Sequence, residues 1–174
     1  KQHVEIARDI AIKFNNTYGE ILTVPEPMIE KEVATLPGLD WRKMSKSYNN
    51  IISIFCSDDE LWNQVKKFKT DSAQEGETRV ADEVPIYNLL KVVGSQDAID
   101  EVRSNLEGGN IRWGDIKETL FEEIKTRYAD AREKYNELDK DHGYVEKVLA
   151  EGAEKARTQA SELMVKVRKA TGLR

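Results

Sequence analysis

The sequence has 174 residues, of which 39% are hydrophobic and 34% are charged, so it can form one domain or parts of two. Its 27 basic and 32 acidic residues give a net charge of -5, which excludes a protein that coats nucleic acid through bulk positive charge. A contact with RNA would have to come from a local basic face. No apolar run approaches the roughly 20 residues of a membrane span and no signal peptide is visible, so we expect a cytoplasmic protein without membrane contact.

The cysteines and histidines argue against a metal site held by the protein. Cys56 is the only cysteine, which excludes a disulfide within this sequence and a cysteine-cluster metal site. The two histidines, His3 and His142, lie far apart, so we expect no metal-ligand cluster. The sequence starts at Lys1, directly inside a helical pattern, and we therefore expect it to be part of a longer protein.

The first part of the chain is predicted to contain a helix followed by a strand. Gln2 to Asn15 has apolar residues at spacings of three and four, which indicates a helix that covers a sheet. Ile21 to Val24 is short, apolar and partly β-branched, which favours a buried strand, and prolines follow it. A helix, a strand and a phosphate-type loop in this order are typical of the edge of a doubly wound α/β domain.

The segment from Pro37 to Asn50, which we call the lysine loop, has the sequence PGLDWRKMSKSYNN. Its centre, Lys43 to Ser47, carries two ammonium groups and two hydroxyls, and the Gly, Pro and Asn residues around it indicate a loop. Paired lysines can grip a polyphosphate, because each ammonium group is a compact charge with three donors. From charge pattern alone, a solvated surface cluster is the commoner explanation.

From Ser57 onward the sequence predicts helices. Ser57 and Glu60 fit a capping box at the start of a helix. Thr70 to Glu83 is polar and aperiodic and is predicted as a loop. Pro85 suits the first turn of the next helix, and longer helical patterns follow from Trp113 to the end of the sequence.

Separated blocks of the sequence resemble one known family. KMSKS, at Lys43 to Ser47, resembles the second signature of class I aminoacyl-tRNA synthetases. The opening stretch resembles the segment that follows the Gly-x-Asp-Gln run of bacterial tryptophanyl-tRNA synthetases, and EGAEKAR, at Glu151 to Arg157, recurs in the same family. The residues of the opening stretch that match are Gln2, His3, Glu5, Arg8, Asp9, Phe14 and Asn15.

The resemblance implies the C-terminal part of a tryptophanyl-tRNA synthetase of the bacterial type. The expected fold is the α/β edge of a Rossmann-like nucleotide-binding domain followed by an all-α helical bundle, mostly helical overall. Residues 1–56 would be the C-terminal portion of the catalytic domain with the lysine loop. Residues 57–174 would be a helical domain that binds the tRNA anticodon, with the last helix packing back on the catalytic domain.

The implied reaction is the ATP-dependent activation of tryptophan and its transfer to tRNA(Trp), by a full-length enzyme that is a homodimer. The first signature of the family, a His-x-Gly-His-type motif, is absent from this sequence, and so is the tryptophan pocket. We therefore expect this chain alone to be inactive.

The resemblance also assigns roles to single residues. Lys43 and Lys46 are expected to be catalytic, by stabilising the negative charge that builds on the β- and γ-phosphates of ATP. Mg²⁺ is expected to arrive with the nucleotide. Trp41 departs from the small residue that the family usually has at its position. The residues expected to bind ATP are Met44, Ser45, Ser47, Thr35, Leu36 and His3.

Three basic residues are candidates for contact with tRNA. Arg79 lies in the polar loop that resembles the connection facing the anticodon end in tryptophanyl enzymes, and a plain surface arginine is the alternative. Lys66 and Lys67 form the basic end of a predicted helix, where they either contact RNA or compensate the helix dipole.

Three alternatives stay open. Tyrosyl-tRNA synthetases share the architecture and often the lysine loop, and the pocket that separates the two substrates is not in this sequence. A helical RNA-binding module without catalysis would need only the residues after Ser57. In a purely structural helical domain, KMSKS would be a coincidence.

Overall fold

The computed structural model describes residues 1–29, 35–72 and 76–173. The chain divides into two compact units, Lys1–Glu30 with Leu138–Arg174, and Lys31–Glu137. Within the described residues all regular secondary structure is helical, with short 3₁₀ helices at Lys46–Tyr48 and Ala81–Glu83. The α-helices are α1 (Gln2–Tyr18), α2 (Asp58–Val65), α3 (Pro85–Val93), α4 (Gln96–Gly108), α5 (Trp113–Arg127), α6 (Ala129–Leu138) and α7 (His142–Thr171).

The predicted α/β edge of a Rossmann-like domain is wrong, because the described residues contain no strand or sheet. Where a strand was predicted, the side chain of Asn15 in α1 bonds the backbone. Its Oδ1 accepts from the amides of Ile21 and Leu22 at 3.1 and 2.9 Å, and its Nδ2 donates to the carbonyl of Leu22 at 2.7 Å. A short apolar run becomes a strand when a neighbouring strand takes up its hydrogen bonds. Here the side chain of Asn15 takes up those hydrogen bonds instead of a neighbouring strand. The expectation of a mostly helical chain is confirmed.

Local signals placed the starts of α2 and α3 correctly. Ser57 Oγ accepts a hydrogen bond from the amide of Glu60 at 3.2 Å, as the capping box predicted. Pro85 is the first residue of α3 and Gly94 is its C-cap. Of the predicted loop at 70–83, residues 73–75 lie outside the described part of the chain, and Ala81–Glu83 forms a 3₁₀ helix.

The hydrophobic core of the second unit forms where α2, α3, α4 and α5 meet. Apolar side chains three or four residues apart on these helices pack into one cluster. Burying a leucine or phenylalanine side chain contributes about 1.5–3 kcal/mol, so this cluster makes the helices a firm support. Leu39 and Met44 of the lysine loop pack against its edge, which ties the loop to that support. Its largest members that are fully buried are Tyr87, Phe68, Leu61, Ile86, Leu90, Leu106 and Leu120.

Arg132 of α6 joins the start of α2. Its Nη2 donates to the carbonyl of Cys56 at 2.6 Å and to Oδ1 of Asp58 at 2.7 Å. The hydrogen bond from Arg132 lowers the pKa of Asp58 below its ordinary value. Because Asp58 lies in the first turn of α2, its negative charge also suits the helix dipole.

The first unit buries little apolar surface. Among its described residues, Ala11 of α1 is the only buried hydrophobic residue. Leu149 and Val165 of α7 are 66% and 63% exposed. No helix in the described residues combines the length and the hydropathy that crossing a membrane requires.

Candidate active site

The lysine loop closes on itself just before its first lysine. Pro37 and Lys43 form an isolated antiparallel bridge, the one β-type pairing found outside helices in the described residues. The amide of Met44 donates to the carbonyl of Leu36 at 2.8 Å. These contacts bring the stem of the loop together, so that the KMSKS residues start from a fixed base.

The side chain of Asn50 organises the interior of the loop. It is only 2% exposed, and its Oδ1 accepts from the amide of Ser45 at 2.8 Å. Its Nδ2 donates to Oδ1 of Asp40 at 2.6 Å and to the carbonyl of Lys43 at 3.2 Å. A buried amide side chain is stable only when such bonds are made, and here they fix the backbone on both sides of Met44.

Asp40 carries a negative charge at neutral pH that strengthens this arrangement. The hydrogen bond from Asn50, followed by the bond and the charge of Arg42, lowers the pKa of Asp40 to about 2. Arg42 Nε donates to Oδ2 of Asp40 at 2.6 Å, and its guanidinium lies 4.5 Å from the centre of the Tyr48 ring. Charge-assisted hydrogen bonds are stronger than neutral ones, so the ionised carboxylate holds Asn50 in place.

Gly38 allows the close approach on which the loop depends. A Cβ at this position would overlap the side-chain amide of Asn50 and lie 2.7 Å from its carbonyl oxygen. Backbone in such close contact with a buried side chain requires a glycine.

The functional groups of KMSKS lie at the surface. Lys43, Lys46 and Ser47 are exposed, whereas Met44 and Ser45 are half-buried. Ser45 Oγ and Ser47 Oγ are 2.8 Å apart and share a hydrogen bond across the 3₁₀ turn. An exposed ammonium group can meet an anion at low desolvation cost, so the two lysines are suited to bind phosphate groups.

A cavity of about 860 Å³ opens beside the stem of the lysine loop. This volume is within the range of small-molecule sites. Thr35, Leu36 and Lys43 line it, so three of the predicted site residues come together. Lys91 of α3 and Arg103 of α4 line its other side.

The two basic residues on the helix side of the cavity were not predicted from the sequence. Lys91 Nζ lies 2.6 Å from Oδ1 of Asp82, and Arg103 Nη2 lies 3.3 Å from its Oδ2. Arg103 Nε also donates to the hydroxyl of Tyr87 at 3.0 Å. In the sequence, Lys91 and Arg103 resemble ordinary charged residues on the surface of a helix. Only in the folded chain do both line the same cavity.

The remaining predicted site residues lie elsewhere. His3 is exposed in the first turn of α1 and belongs to the other unit, so its role stays a prediction. Arg79 is paired with Asp71 at 2.8 Å and with Glu77 at 3.2 Å. A paired arginine can still contact RNA, but it would have to exchange or share these carboxylates.

Lys66 and Lys67 follow directly on α2, and both are exposed. The Lys66 ammonium lies 5.6 Å from the centre of the Trp62 ring. The backbone carbonyl of Lys66 accepts a hydrogen bond from Lys117 Nζ at 2.9 Å. The Lys117 ammonium therefore meets the C-terminal end of α2, where positive charge is favourable.

Among residues 1–29, 35–72 and 76–173, no group of three or more His, Cys, Asp or Glu side chains could hold a metal ion.

Comparison with known proteins gives a consistent result. The family model described as tRNA synthetases class I (W and Y) matches residues 1–129. The tryptophan–tRNA ligase of Neisseria meningitidis is 42% identical over 173 residues, which cover 99% of this chain and 51% of that protein. The enzyme of the same name from Bordetella parapertussis is 44% identical over 174 residues, which cover 99% of this chain and 38% of that protein.

A solved structure agrees with these sequences. The crystal structure of tryptophanyl-tRNA synthetase from Campylobacter jejuni, complexed with ADP and tryptophan, superposes with a TM-score of 0.78 at 40% identity. The match covers 99% of this chain and 54% of that structure. The chain aligns with the C-terminal part of its curated relatives and spans about half of their length or less.

Proposed function

Because this chain belongs to the class I tRNA synthetases of the W and Y family, we propose that it supplies the lysine loop and the tRNA-facing helices of a tryptophan–tRNA ligase. The observation that carries the proposal is the lysine loop itself, in which Asn50 orders a backbone that presents two exposed ammonium groups. Tryptophan is favoured over tyrosine as the substrate, because the relatives reported above are named tryptophan–tRNA ligases.

The proposed chemistry of the loop is electrostatic. When ATP activates an amino acid, the bond to pyrophosphate breaks and negative charge builds on the leaving phosphates. Lys43 and Lys46 would stabilise that charge, and they accelerate the step only if their contacts tighten in the transition state. Ser45 and Ser47 would donate hydrogen bonds to phosphate oxygens or shape the turn. No side-chain nucleophile is needed, because positioning and charge stabilisation are sufficient.

The other parts of the nucleotide site follow from the same assignment. Thr35 and Leu36 would contact the adenine side of ATP, and His3 would lie near the nucleotide. Mg²⁺ would enter with the phosphates of ATP. Tryptophan itself would bind to a part of the enzyme that is not in this sequence, so this chain alone should not activate it.

We assign the tRNA-facing role to residues 57–174, with the boundary to the catalytic part after Cys56. Arg79, Lys66 and Lys67 would contact the phosphate backbone of tRNA(Trp) near the anticodon. The full-length enzyme would work in the cytoplasm as a homodimer. A helical RNA-binding module without catalysis is the alternative to this assignment.

A chimeric enzyme tests the proposal. This chain replaces the matching part of the C. jejuni enzyme, and tryptophan-dependent exchange of pyrophosphate into ATP is measured. We expect exchange in the chimera and none with this chain alone. The same chimera with Lys46→Ala should lose most of the exchange, because one of the two positive charges that stabilise the leaving pyrophosphate is removed.

A folded chimera that binds tRNA(Trp) but catalyses no exchange would contradict the catalytic role and support the RNA-binding alternative. Its folding is checked by circular dichroism and by a cooperative thermal transition. Exchange that is unaffected by Lys46→Ala would show that KMSKS is a coincidence in this chain.

A further inference from the structure

Trp41 holds a backbone conformation that a bulky residue seldom adopts. Its φ is 71°, in the left-handed region where glycine is favoured and a side chain is strained. The residue is 46% exposed, so burial alone does not hold it there. A strained residue persists only where its surroundings hold it in place.

The indole of Trp41 is hydrogen-bonded to the segment after α2. Its Nε1 donates to the carbonyl of Lys69 at 2.7 Å. The amide of the same Lys69 donates to the carbonyl of Leu39 at 2.8 Å. One residue outside the lysine loop therefore bonds the loop at two points, through its carbonyl and its amide.

These two bonds act close to the catalytic candidate Lys43. Trp41 is two residues before Lys43, and both line the cavity of about 860 Å³. Trp41 also lines a second cavity, of about 390 Å³, together with Lys69 and Trp113. Trp41 thus lines both cavities, and its indole N–H is bonded to Lys69, which lines the second one.

We infer that Trp41 is a positioning residue, which fixes the stem of the lysine loop against Lys69 and so sets where Lys43 can reach. Asn50 orders the loop through hydrogen bonds to other residues of the loop. The indole of Trp41 anchors the loop through a hydrogen bond to Lys69, which lies outside it. The effect on ATP rests on the proposed function, whereas the anchoring itself does not.

The anchoring is tested on the 174-residue chain by amide hydrogen exchange, read by NMR at the amides of Lys69 and Met44. Trp41→Phe keeps an aromatic side chain on the strained backbone but removes the N–H group. Trp41→Gly removes the indole and relieves the strain. Both variants should exchange the Lys69 amide about two- to tenfold faster, the range expected for the loss of one net hydrogen bond.

Tyr48→Leu is the matched control, because Tyr48 is an aromatic residue of the same loop with 54% exposure. It should leave Lys69 exchange unchanged. If Trp41→Gly leaves the Lys69 amide as protected as in the wild type, the indole is only tolerated at this position and the inference is wrong. Thermal midpoints are measured in parallel, so that a general loss of stability is separated from a local loosening.

The consequence for catalysis is tested in the C. jejuni chimera. Trp41→Phe should raise the KM for ATP about threefold or more and leave the KM for tryptophan unchanged. A merely structural role would reduce the active fraction, lowering the apparent kcat without shifting either KM. An inactive chimera would overturn the proposed function, but it would not affect the hydrogen-exchange result at Lys69. The failure of the proposed function and the failure of the anchoring are therefore distinguishable.

Discussion

Nδ2 of Asn50 lies 2.6 Å from Oδ1 of Asp40, and this hydrogen bond joins the two ends of the lysine loop. Because Asn50 also bonds the amide of Ser45 and the carbonyl of Lys43, one buried side chain connects four positions of the loop. The side chains of Lys43 and Lys46 are exposed, so their placement depends on the buried residue that orders the backbone of the loop.

Asn50→Ala should therefore loosen the loop and destabilise the second unit. The change removes three hydrogen bonds and leaves the amide of Ser45 without its partner, each unmet group costing about 1–3 kcal/mol. We expect a loss of about 2–4 kcal/mol in the free energy of unfolding, measured by urea denaturation, because water will compensate part of the loss. Asn63→Ala, at an exposed position of α2, is the control and should lie within about 0.5 kcal/mol of the wild type. Equal effects of the two changes would show that Asn50 does not order the loop.

Gly38→Ala probes the same contact from the other side. The new methyl group would overlap the Asn50 side chain, so Asn50 must leave its position and its bonds must lengthen. Denaturation should show a loss of about 1–3 kcal/mol, typical of forced overpacking. Gly114→Ala is a matched control, because a Cβ there meets no atom within 4 Å and alanine favours a helix.

The Gly38→Ala loss should shrink when Asn50→Ala is already present, because the overlapping amide is gone. Such non-additivity in a double-mutant cycle is the mark of two residues in contact. Fully additive losses would indicate that the methyl group clashes with something other than the Asn50 side chain.

The lowered pKa of Asp40 predicts a pH dependence of stability. Its pKa is about 2 in the folded chain and 3.8 for the unperturbed group. A lowered pKa means that the folded state favours the ionised form, so the contribution is complete above about pH 5. It is lost as the pH falls through 4 toward 2, because the folded protein must then give up the ionised carboxylate.

Asp40→Asn isolates this contribution among the other acidic groups. Urea midpoints of the wild type and the variant are compared at pH 6 and at pH 3. The wild type should be the more stable protein at pH 6, and the difference between the two should narrow at pH 3. A difference that stays constant across this range would show that the charge of Asp40 is not linked to folding.

Features that depend on residues close together in the sequence could be predicted, whereas features that depend on contacts between distant residues could not. Ser57 and Glu60 cap α2 as predicted, because the two groups are three residues apart and belong to one turn. The strand predicted at 21–24 is wrong because the backbone of Ile21 and Leu22 bonds the side chain of Asn15, six and seven residues earlier. Nothing in the sequence indicated that the Asn15 side chain would make these bonds. The sequence also marks Asn50 as a turn residue, but only the closed loop shows that it meets Asp40.

The candidate site divides in the same way. KMSKS is a contiguous motif, and its residues lie together on one loop, as a sequence can indicate. The cavity side formed by Lys91 and Arg103 depends on the packing of α3 and α4 beside the loop. Trp41 was visible as an unusual residue, but its bond to Lys69 follows from a fold that brings together positions 28 residues apart.

The two proposed roles, catalysis by the loop and tRNA contact after α2, should separate in single variants of the chimera. Lys46→Ala removes a positive charge from the loop and should lower kcat for pyrophosphate exchange about a hundredfold, as expected for one lost contact to transition-state charge. Its affinity for tRNA(Trp) should change less than twofold. Lys67→Ala lies at an exposed position just after α2 and should leave the exchange within twofold of the parent.

For Lys67→Ala, tRNA binding is titrated at several salt concentrations. Loss of one phosphate contact should weaken binding and reduce the dependence of log Kd on log salt by about one unit. A Lys67→Ala chimera with unchanged tRNA affinity and salt slope would favour the other interpretation of this basic end, compensation of the α2 dipole. The same variant would then show a lower thermal midpoint instead, because a favourable charge at the helix C-terminus contributes about 0.3–1 kcal/mol.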